Sequence, residues 1–287
     1  PQEVDQFAAL GLSQAVDLLV DYERIPQTDA EYEPVRGVDR QAMRRRLRER
    51  GDEERGEIRQ RLDRLNRAQI EEMRAWWLRR MIVTPRPLEE RMTLFWHGLF
   101  TSGQREVRNA TMMWDQNALL RRHALGNFRA LVTAISQDPA MLRYLDNANN
   151  RKQAPNENYA RELLELFTLG AGNYSEQDIR EAARALTGWT IRDGQFAEVR
   201  RMHDAGEKKF LGRTGDFDGH DIIRITLEEP AAARHLARKL LVYFVRDDPA
   251  PADAAALAAV IQAGDFDLRE TMRVLLKSEM FYAPEAR

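Results

Sequence analysis

The sequence contains no cysteine. This absence excludes disulfide bonds, thiolate metal sites and a cysteine nucleophile, and it fits an oxidising or a reducing compartment equally well. The sequence also lacks an unbroken run of about 18 or more apolar residues, so no segment is expected to span a membrane as a helix. Its opening residues, PQEVDQFAAL, do not combine a basic stretch with a following apolar one, so they do not predict a signal peptide.

An excess of positive charge is missing as well, since 44 basic residues stand against 46 acidic ones and leave a formal net charge of -2. Nucleic-acid-binding proteins usually carry a positive excess, because their basic side chains displace counterions from phosphates. The richest basic stretch, residues 39–61, includes Arg44, Arg45, Arg46 and Arg48 but interleaves arginine with acidic residues. A solvated helix face or charge pairing between helices is the main interpretation, and nucleic-acid binding is the alternative.

Apolar residues recur at helical spacing along most of the chain, which is 43% hydrophobic. In the proline-free residues 39–81 they lie three or four residues apart, or at sums of these spacings, at Ile58, Leu62, Leu65, Met73, Trp76 and Trp77. The sequence therefore predicts a mainly α, multi-helix globular domain over residues 1–287. Its N-terminal part, residues 1–84, is expected to be helical and to be able to pack as a subdomain.

Capping and proline signals give several helix boundaries. Residues 116–136 and 139–147 predict two helices, and residues 156–169 predict a third with an asparagine cap and a glycine beyond its end. Ser175 and Asp178 have the spacing of a capping box at the start of another helix.

One stretch breaks the helical pattern. Asp193-Gly194 lies between short β-prone runs and predicts a small β-hairpin near residues 188–212. The glycine-rich residues 206–219 are expected to form a structured loop.

The densest polar cluster lies in residues 146–170, DNANNRKQAPNENYARELLELFTLG. Glu157, Arg161 and Glu165 stand four apart, so they share one helix face, and Glu162 neighbours Glu165 at a spacing of three. Paired carboxylates can act as acid and base or hold a divalent metal. The alternative is an ion-pair ladder along a helix whose other face is core.

His97 lies among aromatic residues in LFWHGLF and is expected to be at least partly buried. A histidine there could ligate a metal or act as a general base. It could equally be a core residue that donates to a nearby carbonyl or carboxylate, and no HExxH or ExxH spacing supports a metal site.

The stretch RMHDAGEKKFLGRTGDFDGHD combines His203 and Asp204 with the later carboxylates of Asp216, Asp218 and Asp221. Oxygen-rich loops of this kind can bind calcium, but the EF-hand spacing is not met. Asp218 and Asp221 also suit the cap and third position of a following helix, which is the preferred interpretation.

These patterns define three sets of candidates. The candidate catalytic residues are Glu162, Glu165, His97 and Arg161. The candidate binding residues are Asn156, Glu157, Asn158, His203 and Asp204, and the candidate ligands of a divalent metal are His97, Glu162, Glu165, Asp216 and Asp218. No glycine-rich phosphate loop, GxSxG elbow or dinucleotide fingerprint occurs, so these enzyme classes are unsupported.

Several motifs, in this order, resemble the bacterial family of domains of unknown function numbered 1800 (DUF1800). They are FWHGLF at residues 95–100, NALLRRHALGNFRAL at 117–131, MLRYLDNANNRKQAPNENYARELLELFTLG at 141–170, YSEQDIREAARALTGW at 174–189 and HDAGEKKFLGRTGDFDGHD at 203–221. The resemblance covers nearly the whole chain. It departs in two places: the family pattern reads like WHNHF, whose second histidine is Leu99 here, and the family's extreme N-terminal segment is expected to be absent.

The resemblance implies a fold but no settled activity. It also implies a periplasmic or exported protein and, as a partner, a co-encoded sulfatase-like exported protein. Two functional hypotheses remain: a scaffold or binding protein of the cell envelope, and an envelope-associated enzyme, hydrolytic or metal-dependent, with its site at His97 and residues 156–165. The first predicts that the asparagine-rich segment forms an internal hydrogen-bond network, and the second predicts that the candidate side chains converge in a pocket.

Overall fold

The computed structural model describes residues 2–27, 52–284 and 286. The arginine cluster at residues 44–48 lies outside these residues, so the nucleic-acid alternative stays a prediction. The chain is mainly α, with 67% of it helical. None of the described helices is both long and apolar enough to cross a membrane.

Fourteen α-helices make up most of the part of the chain that the structure describes. They are α1 Gln2–Leu10, α2 Leu12–Val20, α3 Asp52–Val83, α4 Pro87–Leu99, α5 Gln104–Val107, α6 Ala110–Arg122, α7 Phe128–Ser136, α8 Pro139–Tyr144, α9 Asn158–Glu162, α10 Glu176–Ala185, α11 Gly219–Glu228, α12 Pro230–Phe244, α13 Pro251–Ala263 and α14 Leu268–Lys277. The strands are β1 Trp189–Arg192, β2 Gln195–Glu198, β3 Lys208–Phe210 and β4 Arg213–Gly215.

The predicted helix starts at Ser175 and Asp218 are confirmed, whereas the helix predicted with an asparagine cap at residue 156 begins at Asn158 and has Glu157 as its N-cap residue. Ser175 and Asp178 form a capping box at α10, in which each side chain bonds the backbone of the other residue. Asp218 and Asp221 do the same at α11, as the capping interpretation of DFDGHD predicted. These side chains satisfy backbone N–H groups that a helix start leaves without partners.

The predicted helix over residues 116–136 is wrong in its extent, because α6 begins at Ala110 and a break separates it from α7. Asn127 caps α7, and the backbone around the break pairs with a distant loop: Phe128 N donates to Phe266 O at 3.0 Å, and Leu268 N donates to Gly126 O at 3.1 Å. Tertiary hydrogen bonds therefore replace the helical ones that the break removes.

The predicted hairpin is confirmed: β1 pairs antiparallel with β2, and Asp193 and Gly194 have φ of 52° and 82°, as a type I′ turn requires. The predicted loop at residues 206–219 is wrong in part, because it contains a second hairpin of β3 and β4. The turn of this hairpin forces Leu211 to a φ of 45°. The backbone N–H of Leu211 donates to Asp178 Oδ1 on α10 at 2.7 Å, and the local sequence does not predict this tertiary contact.

An aromatic core lies between α4, α7 and α9. Trp96 and Phe100 of α4 pack on Phe128, with ring centroids 5.7 and 6.5 Å apart. All three side chains are fully buried. Phe95 contacts Tyr243 of α12 at 5.2 Å, so α4 and α12 lie side by side next to α9.

Candidate functional site

A cavity of about 460 Å³ lies between α4, α8, the end of α9 and α12. We call it the first cavity, and its lining includes Phe95, Leu99, Tyr144, Glu162, Leu166, Lys239 and Tyr243. Its walls are mostly apolar, and they include two charged side chains. Apolar walls with a few converging polar groups are typical of small-molecule sites.

Glu162 is the acidic residue of the first cavity. Burial raises the pKa of its carboxyl group above the usual value, the nearby charge of Glu165 raises it further, and Arg161 opposes both effects. Among the described residues, no side chain donates a hydrogen bond to Glu162 or forms an ion pair with it. The predicted proximity of Glu162 and Glu165 therefore exists, but of the two carboxylates only that of Glu165 has a hydrogen-bond partner among the described residues.

Lys239 is the basic residue of this cavity and comes from α12, whereas Glu162 comes from α9. Within residues 52–284 its ammonium group has no ion-pair or hydrogen-bond partner, and Glu162 is not within ion-pairing distance. The cavity thus presents one unpaired charge of each sign. Tyr243 also lines the cavity, and its hydroxyl oxygen is buried without a hydrogen-bond partner among the described residues.

The segment that follows Glu162 is a π-helix, Leu163–Thr168, where the sequence predicts an α-helix. Leu169 N donates to Leu164 O at 2.8 Å, five residues back, which widens the turn. Leu166 lines the first cavity with an exposed fraction of 45%, and its carbonyl oxygen accepts a hydrogen bond from Nε2 of His235 at 2.9 Å. Single π-helical turns frequently occur at functional sites.

Gly170 ends this segment with a φ of 79°. A Cβ atom here would lie 2.7 Å from Nδ1 of His235, so the close approach to His235 requires glycine. The π-helical wall of the cavity is thereby fixed against α12.

His97 does not line the first cavity. Its ring packs on Trp77 of α3 with centroids 5.1 Å apart, and burial lowers its pKa. Leu99, which stands where the family pattern has a second histidine, lines the cavity instead. Two residues apart on a helix, the side chains at these positions point in nearly opposite directions.

The predicted charge ladder is only half present. Arg161 lies 3.4 Å from Glu157 as expected, but its other bonds go to Glu176 on α10, with both N–O distances 2.9 Å. The hydrogen bond to Glu176 raises the pKa of Arg161. Glu165 instead accepts a hydrogen bond from the hydroxyl of Tyr174 at 2.8 Å. Arg161 therefore links two helices at the surface and does not enter the cavity lining.

The scaffold or binding hypothesis predicts an internal hydrogen-bond network over residues 156–162, and this network is present in part: Asn156 and Asn158 belong to it, whereas Glu162 makes no hydrogen bond within the described residues. The buried Asn150 accepts from Asn156 N at 2.9 Å and donates to Ala183 O on α10 at 2.9 Å. Asn158 donates from Nδ2 to Leu145 O at 3.2 Å. These amides brace the loop between α8 and α9, and they do not line the first cavity.

The remaining candidates also have structural partners. His203 Nδ1 donates to Thr187 O at 3.0 Å. Asp204 accepts from Arg184 Nε at 2.8 Å, and this hydrogen bond lowers the pKa of Asp204. Asp216 lies 3.5 Å from the buried ammonium of Lys208.

Among the described residues, no three side chains of histidine, aspartate or glutamate lie close enough together to hold a metal ion. The candidate ligands instead lie apart: His97 is against Trp77, Glu162 is in the first cavity, and Asp218 caps α11. A divalent metal stays a prediction for which this part of the chain brings no ligand set together.

Sequence reasoning missed Lys239 and Tyr243. Both lie in ARHLARKLLVYF, where His235, Lys239 and Val242 are spaced by four and three residues and share one face of α12. A lysine on a helix face that also carries Val242 and Tyr243 was the available signal. Lys239 is not part of a dense polar cluster in the sequence, so the clusters of polar residues did not predict it.

Residues 1–287 match the model of one protein family, whose description is "Protein of unknown function (DUF1800)". No curated protein matches the chain, and no solved structure matches it.

Proposed function

We propose that this chain, which belongs to the DUF1800 family of proteins of unknown function, is a binding protein whose first cavity holds a zwitterionic, largely apolar molecule. The observation that carries the proposal is the pair of unpaired charges, Glu162 from α9 and Lys239 from α12, which line the same mostly apolar cavity. Burying a charge costs free energy unless a partner compensates it. A ligand with an ammonium group and a carboxylate supplies both partners at once.

The cavity also suits such a ligand in size and lining. Its volume of about 460 Å³ lies within the usual range for small-molecule sites, roughly 300–1,000 Å³. Phe95, Leu99 and Leu166 offer apolar contact for the body of the ligand. A short apolar peptide has this chemistry: two charged termini separated by an aliphatic body.

Calorimetric titration with the dipeptide Leu-Leu tests this proposal. We expect saturable binding that weakens about tenfold or more in Glu162→Gln and in Lys239→Met, because a charged hydrogen bond is worth about 1.5–3 kcal/mol. The exposed Glu198 and Lys209 supply matched controls, Glu198→Gln and Lys209→Met, which should bind like the unmodified protein.

Blocking the peptide termini identifies the partner of each charge. Acetylation of the amino terminus should weaken binding to the unmodified protein but cause little further loss in Glu162→Gln. Amidation of the carboxyl terminus should behave in the same way with Lys239→Met. Absence of saturable binding, or equal losses in the control variants, would reject the proposal.

A second candidate function is favoured by the raised pKa of Glu162, since a carboxyl group with a perturbed pKa in a cavity suits general acid–base catalysis. This is the envelope-associated hydrolytic enzyme. Incubation with Leu-Leu and measurement of free leucine separates the two functions: a binding protein returns the peptide intact, whereas an enzyme releases leucine at a rate that Glu162→Gln abolishes.

The cellular place of this binding is proposed from the family resemblance. We propose a periplasmic or exported protein of the cell envelope that partners a co-encoded sulfatase-like exported protein. Fractionation of cells that produce the tagged chain tests the location, and co-purification of the tagged pair tests the partner.

A further inference from the structure

A second cavity, of about 580 Å³, lies on the other side of Tyr243. It is enclosed by α2, the ends of α3 and α14, and the facing sides of α4 and α12. Its apolar lining includes Leu19, Leu88, Leu94, Phe244, Leu276 and Phe281. Tyr243 lines both cavities, so its ring separates them.

The charges around the second cavity favour an anion. Its two charged lining residues are Glu90 and Arg91. The carboxylate of Glu90 already accepts hydrogen bonds from Arg80 and Arg121, whereas Arg91 has no acidic partner within the described ranges. The guanidinium of Arg91 is exposed and lies 4.7 Å from the ring centroid of Tyr243, at the edge of the apolar surface.

The neighbouring ion cluster does not supply a partner for Arg91. Glu89 and Glu90 form their ion pairs with Arg80, Arg86 and Arg121. An arginine with free N–H groups binds a carboxylate through two parallel hydrogen bonds.

We propose that the second cavity is a binding site for a fatty acid, with the carboxylate on Arg91 and the aliphatic chain along the apolar lining. The combination of a mostly apolar cavity and one unpaired guanidinium at its rim selects this class over alcohols, which lack the charge, and over alkylamines, which Arg91 repels. The site is independent of the ligand proposed for the first cavity.

Titration of decanoate, below its critical micelle concentration, tests the site, with decanol and decylamine as probes of equal chain length. We expect saturable binding of decanoate, weaker binding of decanol, and none of decylamine. Arg91→Gln should weaken decanoate binding about tenfold or more, while Arg91→Lys should retain part of it because the charge remains. The exposed Arg192 gives the matched control, Arg192→Gln, which should bind normally.

Two further variants test which of the two cavities binds decanoate. Leu94→Trp fills the second cavity and should abolish binding, with the melting temperature reporting that the variant is folded. Lys239→Met should leave decanoate binding unchanged, because Lys239 lines only the first cavity. The proposal is overturned if decanoate does not bind saturably, if decylamine binds equally well, or if Lys239→Met loses binding that Arg91→Gln retains.

Discussion

Glu90 on α4 and Glu162 on α9 are both partly or fully removed from water, and their surroundings are opposite. Glu90 is 2% exposed and accepts hydrogen bonds from Arg80, Arg121 and Trp77. Burial alone would raise its pKa, but the hydrogen bonds and charges of the two arginines outweigh burial and hold the pKa below its usual value. Glu162 has no such partner in the described part of the chain, and burial raises its pKa.

The difference separates a structural carboxylate from a candidate functional one. Every acceptor site of Glu90 is used to join α3, α4 and α6, so nothing is left for a ligand. The carboxylate of Glu162 is left free beside an apolar cavity, at a cost that a ligand can remove. Unused polar groups at a cavity therefore locate a candidate site better than a high density of polar residues does.

The comparison predicts its largest effect at Glu90. Glu90→Gln leaves Arg80 and Arg121 buried without a full counter-charge, and breaking a buried ion pair in this way typically costs about 3–5 kcal/mol of stability. Urea denaturation should show this loss. The control is Glu71→Gln, which breaks an exposed pair with Arg74 of 2.8 Å and should cost less than about 1 kcal/mol. Similar losses in the two variants would remove the basis for calling the Glu90 cluster structural.

Asp138 is an intermediate case, a buried acid whose hydrogen bonds do not outweigh burial. Burial raises its pKa from 3.8 to about 6, against opposing hydrogen bonds from Met141 N and Gln116. The folded protein therefore keeps a proton that the unfolded chain releases between pH 4 and 6. Unfolding then releases a proton, so the free energy of unfolding should fall as pH rises through this window, by about 2–3 kcal/mol for this residue.

Denaturation curves at several pH values measure this effect as the difference between the unmodified protein and Asp138→Asn. Asparagine retains the capping oxygen but does not titrate. The stability of the unmodified protein relative to this variant should decline between pH 4 and 6 and then level off. A difference that is constant with pH would show that Asp138 has the same pKa in the folded protein as in the unfolded chain.

The wall of the first cavity gives the third prediction. Gly170→Ala places Cβ 2.7 Å from Nδ1 of His235 and also strains a residue with a φ of 79°, so we expect a loss of about 2 kcal/mol. Gly172→Ala is the matched control, since Gly172 has a φ of 85° but open space around it. The larger loss at Gly170, measured by thermal unfolding, should shrink in the double variant with His235→Ala. Equal losses of stability at the two glycines would mean that the His235 side chain moves away from the new Cβ atom without destabilising the protein.

Helices, caps and the first hairpin were predictable because their causes are local. The capping box of Ser175 and Asp178 and the turn at Asp193-Gly194 need only residues that are close in sequence. The second hairpin was not predictable, because its turn is held by Asp178, 33 residues away, through the N–H of Leu211. The π-helix after Glu162 likewise depends on a contact with a distant residue, because Nε2 of His235 on α12 donates a hydrogen bond to the carbonyl oxygen of Leu166.

The candidate site was half predicted for a related reason. The sequence singled out Glu162 through its spacing from Glu165, but it grouped Glu162 with His97, which faces α3. Lys239 and Tyr243 lie more than 70 residues further along the chain, and no local pattern connects them with α9. Which polar groups remain without partners depends on tertiary packing, and packing is what a single sequence shows least.

The smallest expected effect is the stability change of Glu162→Gln. Because no described side chain pairs with Glu162, its neutralisation removes no bond and relieves the repulsion from Glu165, so stability should change by less than about 0.5 kcal/mol. Carboxyl ¹³C NMR titration adds a finer measurement: the pKa of Glu162 should lie above its usual value and fall in Glu165→Gln but not in Glu198→Gln. A Glu162→Gln variant as unstable as Glu90→Gln would mean that Glu162 has a structural partner, and the contrast between the two carboxylates would then no longer identify the first cavity as a site.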